Sequence, residues 1–169
     1  YNGVTQLSIG TMQGTDIQPL PRDETAKKPI VFWGTSITHG ACASRPGMVH
    51  TAILGRRLNR PVINLGFSGN GRMESEVAEL IAELDAEIFV VDCLPNLKAP
   101  EVKDRAPVLV EILRKAHPET PIILVEDRTY ADGWINPGKL HRNLESRREL
   151  KEAYDRLKAA DDPFLLYIK

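Results

Sequence analysis

Five short apolar runs that recur between amphipathic stretches constrain this chain most: Ile30 to Trp33, Val62 to Leu65, Ile88 to Cys93, Ile122 to Val125 and Phe164 to Ile168. Each reads as a strand buried on both faces. Between them Val77, Leu80, Ile81 and Leu84 fall at i, i+3, i+4 and i+7, as do Leu109, Ile112, Leu113 and Ala116, and both sets are helix faces. Leu140, Leu144, Leu150, Tyr154 and Leu157 mark a long helix after Pro137, and Met48 to Leu58 forms another behind Pro46-Gly47. Strands that alternate with helices need crossover connections. The expected class is therefore α/β, with a five-stranded, mainly parallel sheet and helices on both faces.

A chain of 169 residues, 42% of them hydrophobic, suffices for one main domain and is short for two. Its 22 Lys plus Arg against 23 Asp plus Glu leave a net charge of −1. That balance lacks the electrostatic footprint of a nucleic-acid or anionic-membrane binder. No apolar run approaches the roughly 20 residues of a spanning helix, and the opening YNGVTQLSIG lacks the regions of a signal peptide. Cys42 and Cys93 could form one bridge or stay as thiols, and they leave the compartment open.

Residues 1–29 break the rhythm. Val4 to Ile9 looks like an isolated β segment, and Pro19, Pro21, Lys27, Lys28 and Pro29 mark a linker. This arm is either the tail of an upstream β domain or an edge strand closing over the sheet, and residues 30–169 form the main domain. A start at Tyr1 and a stop at Lys169, directly after FLLYI, lead us to expect a chain truncated at both ends.

In an open α/β sheet, ligands bind beyond the carboxyl ends of the strands, so the junctions there carry the chemistry. After the first run comes Gly34-Thr35-Ser36-Ile37-Thr38-His39-Gly40. Ser36 suits an activated nucleophile at a strand-to-helix tip and equally an N-cap. The pattern is neither G-x-S-x-G, since Thr38 holds the last glycine place, nor a phosphate loop, which needs a lysine before the hydroxyl residue. The second run leads into Asn64-Leu65-Gly66-Phe67-Ser68-Gly69-Asn70-Gly71, whose amides could bind an oxyanion or simply shape a tight turn. The third leads into Asp92-Cys93-Leu94-Pro95-Asn96, where Asn96 could donate into the crevice or close an Asx turn. Glu126-Asp127-Arg128 follows the fourth run as a pocket wall, a solvated turn or an internal ion pair, and Arg72 is either a substrate contact or a solvated helix start.

A nucleophile, a glycine amide and an Asn side chain at one sheet edge are what acyl transfer requires. On these blocks the sequence resembles the SGNH, or GDSL-like, hydrolase superfamily of serine esterases over residues 30–169. GTSITHG is similar to the first block, with Ser36 as nucleophile and Thr35 where the family has Asp; NLGFSGNG and DCLPN are similar to the second and third, with Gly69 and Asn96 in the oxyanion hole. The resemblance implies a three-layer, flavodoxin-like fold and hydrolysis of acyl or acetyl esters of small molecules or carbohydrates, without metal or cofactor. The subgroup it resembles comprises bacterial esterases, often exported, with an N-terminal β-sandwich domain, whose end residues 1–29 would then be.

Serine needs a base, usually a His oriented by a carboxylate, and the family's fourth block supplies both as Asp-x-x-His. Here the residues three before His39, His50, His117 and His141 are Ser36, Gly47, Arg114 and Gly138, so no such block exists. We expect it beyond Lys169, the other reading being that His39 or His141 substitutes, and expect this chain to turn over little by itself. A non-catalytic domain that binds a carbohydrate or an anion in the same crevice is the alternative. Oligomeric state is not legible.

Overall fold

The computed structural model describes residues 5–18 and 27–169. Five strands, β1 (Ile30–Gly34), β2 (Val62–Gly66), β3 (Ile88–Asp92), β4 (Ile122–Val125) and β5 (Leu165–Ile168), form one sheet in the order β2-β1-β3-β4-β5. Every pairing is parallel. The helices are α1 (Ser36–His39), α2 (His50–Leu58), α3 (Ser75–Ile81), α4 (Ala99–Ala116) and α5 (Pro137–Ala159). The expected α/β architecture stands.

One sheet face is dry. Val31, Trp33, Phe89, Val91, Ile122, Leu124 and Leu165 pack with Ala78 and Ile81 of α3, Leu109 and Leu113 of α4, and Leu150 and Ala153 of α5 in a single core. The opposite face carries α1 and α2: the His50 ring meets Phe32 edge-on at 5.9 Å, and Thr51 bonds Asn64 beside it. That cover ends toward β5. Register puts Phe32, Val90, Ile123 and Leu166 in one row, and along it burial fades from buried through half-buried to exposed. Only β1 is buried along its whole length; the expectation of strands dry on both faces fails for β2 to β5, since no helix among the described residues lies over the outer part of this face.

Several local expectations also shift. The helix of Val77 ends at Ile81, before Leu84, and leaves Leu80 exposed. Leu144 of α5 faces solvent. Pro46–Met48 forms a separate 3-10 turn ahead of α2. Residues 5–9 form no strand, so the β segment expected at Val4 to Ile9 is corrected there; Val4, Pro19 and Pro21 lie outside the described residues.

Two starts carry their sequence signals. Pro137 occupies the first turn of α5 behind Asn136, whose side chain accepts from the Lys139 amide at 3.3 Å. At α4 the Glu101 carboxylate reaches back to the Lys98 amide at 2.9 Å.

Candidate active site

The turn after β1 settles which hydroxyl is the cap. Thr35, extended and fully buried, accepts from the Ile37 amide at 3.3 Å, so Thr35 is the N-cap of α1 and Ser36 its first helical residue. The capping role weighed for Ser36 thus passes to its neighbour. Amides in a first helical turn have no acceptor within the helix, which leaves the Ser36 N–H beside its own hydroxyl as a donor.

A four-residue helix cannot hold itself; side chains from two other strands hold this one. Buried Thr38 donates to Asp92 Oδ2 at 2.9 Å. Asn64 donates to the Thr38 carbonyl at 2.8 Å and to Thr51 Oγ1 at 2.9 Å, while its oxygen accepts from the Gly66 amide at 3.0 Å. His39 Nδ1 lies 2.9 Å from the Gly66 carbonyl.

Burial pushes the Asp92 carboxyl above its ordinary range; the Thr38 hydroxyl and the fields of His50 and Arg128 oppose the shift, and nearby Asp127 adds to it. Asp92, Thr38 and Asn64 had no role in the sequence reading. For Asp92 and Asn64 the one signal was a polar residue inside or ending an apolar run, and Thr38 carried none.

The loop after β2 lies against the first turn. The Phe67 amide donates to the Gly34 carbonyl at 2.9 Å. Gly69 and Gly71 have φ of +72° and +68°, so the loop is both a tight glycine turn and a source of outward amides. Nothing lies within 4 Å of where a Gly69 side chain would start, so its backbone is open.

Asn96 ends a 3-10 turn, Leu94–Asn96, and its side-chain amide donates to the carbonyl of Asn70, the residue after Gly69. It closes no Asx turn. A primary amide has a second N–H to offer. The structure therefore brings Asn96 to the Gly69 loop and seats that loop on the turn that carries Ser36.

A cavity of about 220 Å³ opens beside Ser36, lined among others by Ala41, Cys42, Ala43, Met48 and His50. Cys42 is exposed and Cys93 buried, both as free thiols; no bridge joins them, and burial pushes the Cys93 thiol well up. Asp127 is buried and paired with Arg128 at 2.6 Å and Asn143 at 2.9 Å, which makes the Glu126-Asp127-Arg128 segment an internal ion pair. Arg72 is exposed, and its backbone is held by Glu74 and Arg105.

The other imidazoles lie apart. His117 tilts over Phe89 with Nε2 2.8 Å from the Ala82 carbonyl, and His141 is exposed on α5. No described helix is long and apolar enough to cross a membrane.

Comparison with known proteins bears on this geometry. The model of the GDSL-like Lipase/Acylhydrolase family matches residues 27–169. A protein from Bacteroides ovatus assigned as a GDSL-like lipase is 40% identical with a TM-score of 0.82, over 85% of this chain and 43% of that one. A salicylyl-acyltransferase from a tetracycline biosynthetic pathway has a TM-score of 0.74 at 22% identity, over 86% and 43%. A family two carbohydrate esterase from Clostridium thermocellum has 0.67 at 15%, over 88% and 55%. The last two share the fold. This chain spans under half the length of the first two relatives. A comparison with curated proteins finds no match. On the family match, the identity to the Bacteroides protein and the three blocks gathered at one sheet edge, this chain belongs to the GDSL-like lipase/acylhydrolase family.

Proposed function

We propose that this chain is the core of a serine ester hydrolase in which Ser36 is the nucleophile and Gly69 and Asn96 form the oxyanion hole. The observation that carries the reading is the meeting of three strand-end blocks: Asn96 bonds the Gly69 loop, and that loop bonds the turn of Ser36. In the first step Ser36 Oγ attacks the ester carbonyl and its proton passes to a base. The amides of Ser36 and Gly69 and the second N–H of Asn96 hold the oxyanion; one such donor typically lowers the barrier by about 3 kcal/mol. The intermediate collapses with the base's proton going to the departing alcohol, which leaves an acyl-serine. Water, deprotonated by the same base, adds to the acyl carbon, and Ser36 leaves with its proton restored.

The base in this proposal is a histidine outside these 169 residues. In support, the chain holds no Asp-x-x-His, His39 bonds the Gly66 carbonyl, His117 bonds the Ala82 carbonyl and His141 faces solvent, while His50, in the lining of the cavity beside Ser36, packs edge-on against Phe32. The 220 Å³ volume of the cavity, with Gly40, Ala41, Cys42 and Ala43 on its wall, suits a short acyl group, including acetyl esters of small molecules or carbohydrates.

The test is a fluorophosphonate probe together with p-nitrophenyl acetate on the full-length enzyme. The probe should mark Ser36, and Ser36→Ala should lose labelling and turnover together; undiminished turnover would refute the nucleophile, and an unlabelled protein would favour a binding domain. A chain ending at Lys169 should turn over far more slowly, and equal rates would refute an external base.

A further inference from the structure

The Asn96 turn is short and lies beyond the end of β3, so its seat in the fold, and with it the reach of the Asn96 side chain to the Asn70 carbonyl, depends on bonds from outside the turn. Two turn bonds, from the Asn96 amide to the Cys93 carbonyl at 3.2 Å and from the Leu97 amide to the Leu94 carbonyl at 3.0 Å, close it from inside. The carbonyls on either side of Asn96 point the other way, toward α5. Both are taken by one side chain: Arg142 Nη2 donates to the Pro95 carbonyl at 2.8 Å and to the Leu97 carbonyl at 3.3 Å.

The second arm of the same guanidinium, Nη1, donates to the Tyr130 hydroxyl at 2.9 Å, which fixes the plane of the fork. Ser146, one helical turn on, adds a bond to the Leu97 carbonyl at 3.3 Å. Arg142 is half-buried, and its three bonds run to neutral oxygens rather than to a carboxylate. A charge so placed is doing something other than pairing.

We propose that Arg142 is the positioning residue for Asn96: its guanidinium spans the two carbonyls that flank Asn96 and so aims the Asn96 amide at the oxyanion. The inference rests on the oxyanion role given to Asn96 above. Arg142 acts through Asn96 rather than on the reacting atoms. Its contribution arises as the reaction begins, because a donor held in place in advance stabilises the developing charge without reorganising, whereas a turn that wobbles by an ångström loses much of that gain. Ground-state binding does not depend on it, so the effect should fall on kcat and spare KM. A lysine would keep the charge and lose the fork, since one ammonium cannot span both carbonyls and the Tyr130 hydroxyl in one geometry.

The experiment is a double-mutant cycle in the full-length enzyme with p-nitrophenyl acetate. Asn96→Ala should lower kcat by about 100-fold. Arg142→Ala should lower it by about 10-fold or more with KM little changed. In the Asn96→Ala background the Arg142 substitution should cost less than about twofold, because the side chain it positions is gone. Where Arg142→Ala does not fold, Arg142→Lys is read in the same way, with a smaller loss of kcat that again vanishes without Asn96. Equal losses in both backgrounds, or a loss in KM alone, would overturn the positioning role and leave the esterase reading intact. An Asn96→Ala enzyme with undiminished kcat would instead bring down the oxyanion role of Asn96, and this proposal with it.

Discussion

Gly71 sits so close to the Gly34 carbonyl that a β-carbon on it would lie 2.1 Å from that oxygen. The glycine loop after β2 and the nucleophile turn after β1 are thereby in backbone contact, with no side chain between them. Gly71→Ala must therefore displace backbone as well as strain a φ of +68°, and we expect it to cost about 3 kcal/mol. Gly69→Ala meets only the strain, about 1–2 kcal/mol, since nothing crowds that position. Urea melts of the two variants check the ranking.

Thr35→Ala removes the cap of α1 while leaving Ser36 in place. We expect a loss of about 1 kcal/mol and slower labelling of Ser36 by a fluorophosphonate. Thr35→Ser keeps the accepting oxygen and should restore both, as read by thermal unfolding and by the labelling rate.

Asp92 reverses the usual pH dependence of a carboxylate. Its native pKa lies above the ordinary 3.8, so between the two values the folded state holds a proton that the unfolded chain has released. The unfolded state then binds fewer protons, and stability falls as pH rises through that window. Asp92→Asn keeps an oxygen to accept from Thr38 and never ionises. It should raise the melting temperature near neutral pH and match the wild type once the pH is below both values, as checked by melts at about pH 3 to 8.

The two thiols should differ in their access to a reagent. A thiol reagent should react with one cysteine in the native chain, Cys42, and with both after denaturation, because Cys93 is fully buried and its thiolate is disfavoured. Two fast equivalents in the native state would contradict the burial of β3's end.

What the sequence disclosed followed from how local its signals were. Four of the strands could be read because four or five apolar residues in succession leave few other options, the run of β2 was legible despite Asn64 within it, and Pro137 marked α5 because proline suits a first helical turn. Ser36, Gly69 and Asn96 stood out through position, each just past a strand. Thr38, Asp92 and Asn64 did not, because their partners lie 54 and 26 residues apart and only folding joins them. Arg142 was hidden more deeply, as one cation among many on a long polar helix. The dryness of the strands was misjudged because an apolar run reports what can be buried, while cover depends on which helices cross which face.

That uneven cover has a consequence for how copies of this chain should meet in solution. Leu166 and Ile168 stand exposed on one side of β5, and among the described residues β5 pairs with β4 alone. A greasy strip beside a free hydrogen-bonding edge invites strand-to-strand association. Colloidal stability is then a property this strip controls, and a charged residue in place of Leu166 should raise the solubility of this chain.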